Sequence, residues 1–248
     1  MGVDQLLYPR VIAHRGLSGL CPENTMAAFG AAIGLGAHEI ELDIWGSKDR
    51  RLIVCHDPTV DRTSNGTGHI NKLTYEYISQ LDAGSWFDPK WAGLSFCTLE
   101  EVFKVYGGDI IMNIHLKEAG DDGWIIEEVQ RLAERYGIAD SIYIAGRKDV
   151  LQWAIRIAPD IERCCLEGDR DEDMTIVDRA IEYGCSRVQF WNPNFNKDLI
   201  DRAHHHGIIC NVFYADTYEE AERCFNMGID SVLTNYANLI LPVLENMR

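Results

Sequence analysis

Short apolar or β-branched runs alternate along this chain with longer segments of helical period. The runs VIAHRG (11–16), EIELDIW (39–45) and DIIMNIHLK (109–117) are typical of buried strands, and the segments 23–35 and 121–136 have the period of amphipathic helices. Later runs of the same kind, each followed by an amphipathic segment, are SIYIAG, ERCCLEG, SRVQFW, IICNVFY and DSVLTN. The pattern predicts eight strands joined by helices.

Eight strands with intervening helices favour a closed (β/α)8 barrel of the TIM type. Its usual length is about 250 residues, close to the 248 of this chain, and glycines stand where helices would end: Gly36, Gly137, Gly184, Gly207 and Gly228. An open doubly wound sheet is the alternative, but neither G-x-G-x-x-G nor G-x-x-x-x-G-K-[ST] follows the first strand. We therefore expect residues 1–248 to form one barrel domain.

One extra apolar run interrupts the alternation after the second strand. LIVCHD (52–57) follows EIELDIW after the polar turn GSKDRR, which predicts a hairpin off that strand. The segment from about 46 to 97 is then a small insertion over the mouth of the barrel, with Gly66 and Gly68 in a tight turn.

Charge and cysteine content bear on the partners and the compartment of the protein. The 23 Lys and Arg residues against 39 Asp and Glu residues give a formal net charge of -16, which disfavours nucleic acids and anionic membranes as partners. No apolar run resembles a signal peptide or a membrane helix, so we expect a cytoplasmic chain with no stable membrane association. The eight cysteines show no C-x-x-C spacing and are expected to be free and buried. The sequence does not indicate an oligomeric state.

Three carboxylates share one face of the second strand. Glu39, Glu41 and Asp43 alternate with apolar residues, so the period of two directs them to the same side, which is the interior of a barrel. Closely packed carboxylates repel one another and are costly to desolvate unless a divalent cation or a basic side chain accompanies them. A strand with one solvated face would give the same pattern.

The third strand supplies polar side chains that suit such a site. Asn113, His115 and Lys117 share one face of this strand. Glu41, Asp43 and His115 then form a set of two carboxylates and one imidazole, which leaves positions on a metal open to water and substrate oxygens. Lys117 lies one pleat nearer the mouth, where it would meet the negative charge of a substrate.

Two histidines end strands close to these residues. His14 closes the first strand and His56 closes the hairpin strand, so one imidazole can take a proton from an attacking oxygen while the other protonates a departing alkoxide. Arg15 adds a planar donor suited to phosphoryl oxygens. The run His204-His205-His206 precedes Gly207 at a predicted helix end, where positive charge interacts favourably with the helix dipole. We do not expect it to bind a metal, because three consecutive helical residues point in different directions and do not converge on one ion.

The strings HRG, CPENTMAAF, ELD, CHDPTVDRTSNGTG and FCTLEEVF, in this order and at this spacing, resemble the glycerophosphodiester phosphodiesterase family. The resemblance is strong from residue 12 to about residue 117 and fades toward the C-terminus. It implies a TIM-type barrel with a small insertion after strand two. It also implies hydrolysis of glycerophosphodiesters, small molecules, to an alcohol and glycerol phosphate with one divalent cation, Mg²⁺ or Ca²⁺.

The resemblance also implies a role for each residue of this constellation. His14 and His56 match the acid/base pair of the family, and Arg15 matches its phosphate contact. Glu41 and Asp43 match metal ligands, and Lys117 matches the basic residue that ends strand three. 

The string Pro22-Glu23-Asn24-Thr25 matches the signature with which the first helix of the family begins. We interpret it as a cap, in which Asn24 or Thr25 accepts hydrogen bonds from early helical N–H groups and the helix dipole favours Glu23.

This chain departs from the family at positions that affect the metal and the substrate. His115 stands where most members have a Glu ligand, which removes one negative charge and accommodates Mn²⁺ or Zn²⁺ as well as Mg²⁺. Cys97 and Asn235 replace a usual Pro and a usual Asp. Candidates to contact the leaving alcohol are aromatic residues on the late strands and the insertion, foremost Trp191 and Phe213, then Trp86, Phe190 and Tyr214, together with the carboxylate of Glu167.

Three alternatives stay open on the sequence alone. Attack by the glycerol 2-hydroxyl in place of water would give a cyclic phosphate, and an enzyme that stops there is a phosphodiester lyase. A barrel that has lost its metal through His115 would bind a phosphodiester or sugar phosphate without turning it over. A barrel isomerase or aldolase would use Lys117 to form a Schiff base.

Overall fold

Parallel strands and helices alternate along the residues that the computed structural model describes, 8–167 and 174–247. The strands are β1 (Arg10–Ala13), β2 (Glu39–Gly46), β3 (Leu52–Val54), β4 (Ile111–Leu116), β5 (Ile142–Gly146), β6 (Glu162–Leu166), β7 (Arg187–Trp191), β8 (Ile209–Phe213) and β9 (Ser231–Thr234). The helices are α1 (Met26–Gly34), α2 (Tyr75–Ile78), α3 (Leu99–Tyr106), α4 (Trp124–Tyr136), α5 (Lys148–Ile157), α6 (Ile176–Glu182), α7 (Lys197–His205), α8 (Tyr218–Met227) and α9 (Ala237–Asn246).

The strands close into a barrel. All but β3 follow one another in the parallel order β1-β9-β8-β7-β6-β5-β4-β2, and β1 also pairs with β2, where Ile12 lies opposite Glu39. The predicted TIM-type (β/α)8 barrel is therefore confirmed, and the open doubly wound sheet is wrong. The single-domain boundary of 1–248 stays a prediction. Residues 1–7, on which the targeting prediction depends, and Gly168, the last residue of the predicted run ERCCLEG, lie outside the described residues.

The predicted hairpin off the second strand is present. β3 pairs antiparallel with β2, with Ile44 opposite Val54 and Gly46 opposite Leu52. The segment that follows has an apolar cluster of its own, made of Ile53, Cys55, Val60, Ile70, Ile78, Leu81, Ala83 and Phe96. This cluster fixes the insertion on the barrel and so fixes the loop that carries His56.

The strand β1 ends three residues earlier than the run VIAHRG predicts. Arg15 and Gly16 have φ angles of 56° and 78°, a left-handed turn that takes the chain out of the sheet at His14. A side chain at Gly16 would collide with the backbone of Ala28, because a Cβ there would lie 2.6 Å from its carbonyl carbon. The turn thus brings the start of α1 against the end of β1.

A buried ionic cluster lies at the amino-terminal ends of the barrel strands, the floor of the barrel. Glu39 is fully buried and accepts hydrogen bonds from Arg10 Nη1 (3.1 Å) and from the Tyr143 hydroxyl (2.9 Å). Arg187 Nη1 lies 3.6 Å from Glu39 Oε1, and its guanidinium stacks over the Tyr143 ring at 4.3 Å. Although Glu39 shares a face with Glu41 and Asp43, it lies at the opposite end of the strand and is neutralised there.

All eight cysteines are free and buried, as predicted. Within the described residues, no helix has the length and apolar character needed to cross a membrane.

The floor cluster predicts an unequal effect of two neutralising substitutions. Glu39→Gln keeps the volume but removes the charge that faces two buried guanidinium groups, so we expect the free energy of unfolding to fall by about 3–5 kcal/mol. Glu162→Gln is the control, because Glu162 also contacts Arg187 but its side chain is 52% exposed. For Glu162→Gln we expect the free energy of unfolding to fall by less than about 1 kcal/mol. Urea unfolding measures both, and equal losses would contradict the role of Glu39.

Candidate active site

A cavity of about 440 Å³ opens at the carboxyl ends of the barrel strands. This end is where TIM-type barrels place their functional residues. The nine principal site residues predicted from the sequence all line it: His14, Arg15, Glu41, Asp43, His56, His115, Lys117, Trp191 and Phe213. The structure therefore brings these nine residues together, while their individual roles stay predictions.

The two carboxylates and the imidazole proposed as metal ligands converge at the base of the cavity. Asp43 lies opposite His115 across the β2–β4 pairing, and one ligand atom from each of Glu41, Asp43 and His115 lies within 4.8 Å of the other two. The Nδ1 atom of His115 is 3.1 Å from Asp43 Oδ1 and 3.7 Å from Glu41 Oε1. Two carboxylate oxygens and one imidazole nitrogen at this spacing fit a divalent cation.

Cationic side chains surround the buried Asp43 carboxylate. Lys117 Nζ lies 2.7 Å from Asp43 Oδ1, and Arg15 Nε lies 3.4 Å from Asp43 Oδ2. Burial opposes ionisation of Asp43, but Lys117 and His115 outweigh it and hold the pKa of this carboxyl well below its usual range. Lys117 therefore faces the carboxylates in this structure as well as lining the cavity.

The helix-opening string has two different functions. Thr25 is the N-cap of α1, with its hydroxyl accepting a hydrogen bond from the N–H of Ala28. Asn24 instead orients a proposed metal ligand: its Nδ2 donates to Asp43 Oδ2 (2.9 Å), and its Oδ1 accepts from the Asp43 N–H (3.3 Å). Of the two capping candidates only Thr25 is correct, because the left-handed backbone of Asn24 (φ 56°) turns its side chain toward β2.

His14 is almost entirely enclosed. Its ring packs edge-on against Phe213 at 4.8 Å, and its Nδ1 atom lies 2.7 Å from Asn235 Oδ1. Its Nε2 atom is 3.9 Å from Glu41 Oε2, so this nitrogen faces the carboxylates. Burial lowers the pKa of His14, against the opposing effect of Glu41.

His56 lies on the outer side of the cavity in a more open environment. Its side chain is 37% exposed, and its Nδ1 atom lies 2.7 Å from Asp57 Oδ1. Its carbonyl oxygen accepts a hydrogen bond from Trp45 Nε1 (3.0 Å), which ties the end of the hairpin to β2. The two histidines therefore face one cavity from different surroundings.

An ion-pair chain that the sequence analysis missed connects Arg15 with His56. Arg15 Nη1 donates to Glu23 Oε1 (2.9 Å), and Arg62 Nη2 donates to the same oxygen (2.7 Å). Arg62 Nε also donates to Asp57 Oδ2 (2.6 Å), and Asp57 contacts His56. Glu23 thus pairs with two arginines, and it lies before the N-cap of α1, whose first turn holds no acidic residue. Arg62 lies within the string CHDPTVDRTSNGTG, but that string does not indicate which carboxylates Arg62 meets.

The aromatic candidates divide into two groups. Trp191 ends β7, Phe213 ends β8, and their ring centroids are 5.3 Å apart at the cavity wall. The other members of this wall are Phe190, Tyr214 and Glu167, whose pKa is raised by burial. Trp86 does not line this cavity: it donates from Nε1 to the Ala83 carbonyl and lies beside Arg62 (5.8 Å).

The three consecutive histidines diverge at the end of α7. His204 Nε2 lies 2.8 Å from Asp230 Oδ2, whereas the rings of His205 and His206 meet edge to face with their centroids 5.4 Å apart. Their directions agree with the prediction that the run does not converge on one ion.

Comparisons with known proteins point to one family. The sequence profile of the glycerophosphoryl diester phosphodiesterase family matches residues 14–239. A glycerophosphodiester phosphodiesterase of Caldanaerobacter subterraneus subsp. tengcongensis is 34% identical over 247 aligned positions, which cover 95% of this chain and 97% of that protein.

Solved structures agree with the sequence comparison. An Oleispira antarctica phosphodiesterase in complex with the product sn-glycerol-3-phosphate superimposes with a TM-score of 0.86 at 26% identity, covering 96% of this chain and 97% of that one. A glycerophosphodiester phosphodiesterase of Agrobacterium tumefaciens superimposes with a TM-score of 0.82 at 26% identity, covering 94% of this chain and 99% of that one.

The ion-pair chain predicts a measurable change at Asp57. The hydrogen bond from Arg62 lowers the pKa of Asp57 to about 2, so in Arg62→Ala we expect this pKa to rise toward its ordinary value of 3.8. In the native protein the lowered pKa stabilises the fold above pH 3.8, and the contribution is lost as the pH falls through about 2. The Arg62 side chain is 43% exposed, so in Arg62→Ala the free energy of unfolding near neutral pH should fall by less than about 1 kcal/mol.

Carbon-detected NMR titration of the Asp57 carboxyl measures this shift. Arg131→Ala is the control, since Arg131 forms an exposed ion pair with Glu128 on α4. The same Asp57 pKa in both variants would show that Arg62 does not set it.

Proposed function

The chain belongs to the glycerophosphoryl diester phosphodiesterase family and is a phosphoric diester hydrolase, and on that premise we propose that it hydrolyses glycerophosphodiesters to an alcohol and glycerol phosphate with one divalent cation. The observation that carries this proposal is the convergence of three ligand atoms, from Glu41, Asp43 and His115, within 4.8 Å in a cavity that His14 and His56 also line. The product bound by the Oleispira relative supports a small-molecule substrate.

The phosphoryl group meets positive charge on two sides in this proposal. Arg15 and Lys117 line the cavity beside Asp43, where a guanidinium and an ammonium can donate to the non-bridging oxygens. A cation held by Glu41, Asp43 and His115 would supply further neutralisation of the negative charge on the phosphoryl oxygens. 

Proton transfer is divided between His14 and His56. One imidazole takes the proton of the attacking oxygen as the new P–O bond forms, and the other gives a proton to the alkoxide as the old P–O bond breaks. The attacking oxygen belongs to water or to the glycerol 2-hydroxyl; in the second case water opens the cyclic phosphate afterwards. Exchange of one proton with solvent restores both imidazoles.

The leaving alcohol lies against the aromatic wall in this proposal. Trp191 is 51% exposed beside Phe213, so an alcohol placed there would cover apolar surface that now faces water. The eight free, buried cysteines suit a reducing compartment, which supports the proposed cytoplasmic location.

Substitution of each histidine tests the proposal. We expect His14→Ala and His56→Ala each to lower kcat by about 10²- to 10⁴-fold, since each removes one proton-transfer group. His204→Ala, at the far side of α7, is the matched control and should keep wild-type activity. The assay uses glycerophosphodiesters of choline, ethanolamine, glycerol and inositol, and unchanged activity in both site variants would contradict the acid/base assignment.

The products distinguish the alternatives. Phosphorus NMR in ¹⁸O-water should show glycerol phosphate that carries the label, whereas an unlabelled cyclic phosphate as sole final product would identify a lyase. Binding of the diesters by calorimetry with no turnover under any cation would identify a binding barrel. Borohydride should trap no adduct at Lys117, because its ammonium is held in an ion pair with Asp43 at 2.7 Å.

His115 predicts an altered choice of cation. Mg²⁺ and Ca²⁺ follow from the family, but an imidazole ligand favours Mn²⁺ or Zn²⁺ relative to an all-oxygen set. We therefore expect His115→Glu to bind Mg²⁺ and Ca²⁺ more tightly and to lose part of its preference for Zn²⁺. Isothermal titration calorimetry measures the four affinities without reference to activity. His205→Glu adds the same charge on the exposed end of α7 and is the control; identical affinity ratios in both variants would contradict a ligand role for His115.

A further inference from the structure

A chain of hydrogen bonds runs from the loop after β8 to His14. Asn235, which follows β9, donates from Nδ2 to Asp216 Oδ2 at 2.7 Å. The other end of the same amide, Oδ1, lies 2.7 Å from His14 Nδ1. Asp216 does not line the cavity described above, and its carboxylate reaches His14 through the Asn235 amide.

The carboxylate of Asp216 is itself fixed by several donors. Its Oδ1 accepts hydrogen bonds from the Thr234 hydroxyl (2.9 Å) and from the Asn235 backbone N–H (2.8 Å). The Asp216 N–H donates to Glu220 Oε2 (3.1 Å) at the start of α8. Thr234 is fully buried at the end of β9, so its hydrogen bond anchors the Asp216 carboxylate to a barrel strand.

This arrangement permits one orientation of the Asn235 amide. A carboxylate can only accept hydrogen bonds, so the NH₂ end of Asn235 must face Asp216. The carbonyl end then faces His14, where the Ser18 hydroxyl also lies within 2.9 Å of Oδ1. A reversed amide would place its oxygen against the carboxylate oxygen Oδ2 and lose the bond to Asp216.

The amide orientation in turn fixes the tautomer of His14. Because the oxygen of Asn235 only accepts, the proton of a neutral His14 must lie on Nδ1, and Nε2 keeps its lone pair. We propose that Asp216 is a positioning residue, which acts through Asn235 to present the unprotonated Nε2 of His14 to the cavity. His14 is then the imidazole that accepts a proton.

This inference extends the proposed function by assigning the two histidines to separate steps. The lone pair of Nε2 takes the proton from the attacking oxygen as the P–O bond forms, and His56 gives its proton to the alkoxide as the other P–O bond breaks. After the first transfer His14 still donates from Nδ1 to Asn235, so its anchor does not rearrange during the reaction. His56 differs because its Nδ1 anchor is a carboxylate, Asp57, which it shares with Arg62.

The tautomer can be observed directly by NMR. Protein labelled with ¹⁵N-histidine and saturated with diamagnetic Mg²⁺ contains eight histidines, and the signals of His14 are identified by their loss in His14→Gln. Two-bond ¹H–¹⁵N correlation spectra distinguish a protonated from an unprotonated ring nitrogen. We expect the wild type to show a protonated Nδ1 and an unprotonated Nε2.

Two isosteric variants test the part played by Asp216. In Asp216→Asn the residue at 216 can also donate, so the Asn235 amide is free to turn and the second His14 tautomer should appear. We expect kcat to fall at least about tenfold while KM changes less than about twofold. The exchanged variant, Asp216→Asn with Asn235→Asp, places an acceptor against His14 again and should restore both the Nδ1–H tautomer and most of kcat.

Asp201→Asn is the control, because Asp201 pairs with Lys197 on the exposed side of α7. A wild-type His14 with its proton on Nε2 would overturn the proposal, and so would an Asp216→Asn protein with unchanged tautomer and kcat. Where Asp216→Asn does not fold, the wild-type spectrum decides: the Nδ1–H tautomer supports the proposal, and the Nε2–H tautomer overturns it. The spectrum reports the tautomer whether or not the enzyme turns over, so a wild type without activity would contradict the proposed function alone.

Discussion

The negative charge of Glu41 and Asp43, buried at the carboxyl end of β2, constrains the rest of the site. Asp43 is fully buried and Glu41 is 2% exposed, and an isolated carboxylate in such surroundings costs several kcal/mol. Lys117, Arg15 and His115 offset this cost by lying within 4 Å of these oxygens. The same concentration of charge makes the position suitable for a divalent cation and a phosphoryl group.

Three of the side chains around this centre are held by hydrogen-bond partners on three separate loops. Asn24, at the start of α1, orients Asp43, and Asn235, after the last strand, orients His14. Asp57 in the insertion orients His56. These three supports lie on separate loops that share only the carboxyl end of the barrel. A barrel of parallel strands collects such loops at one end, which explains how distant segments build one rigid site.

The β2 strand shows how one sequence pattern serves two purposes. Glu39, Glu41 and Asp43 point to the same face, but Glu39 meets Arg10, Tyr143 and Arg187 at the floor. The two later carboxylates lie at the mouth among the residues proposed for chemistry. Basic side chains at each end of β2 neutralise the carboxylates separately. The ionic cluster at the floor therefore stabilises the barrel without using the groups that line the cavity.

The sequence by itself determined the barrel and the proposed catalytic and metal-binding groups of the cavity, because both depend on local periodicity: strand alternation directs Glu41, Asp43 and His115 inward, and strand ends place His14 and His56 at the mouth. It did not determine the partners that orient these groups. Arg62 reaches Glu23 across 39 positions, and Asn235 reaches His14 across 221, so neither contact leaves a trace in local pattern. Closure of the barrel decided the contact of Asn235 with His14, since only closure places β9 beside β1.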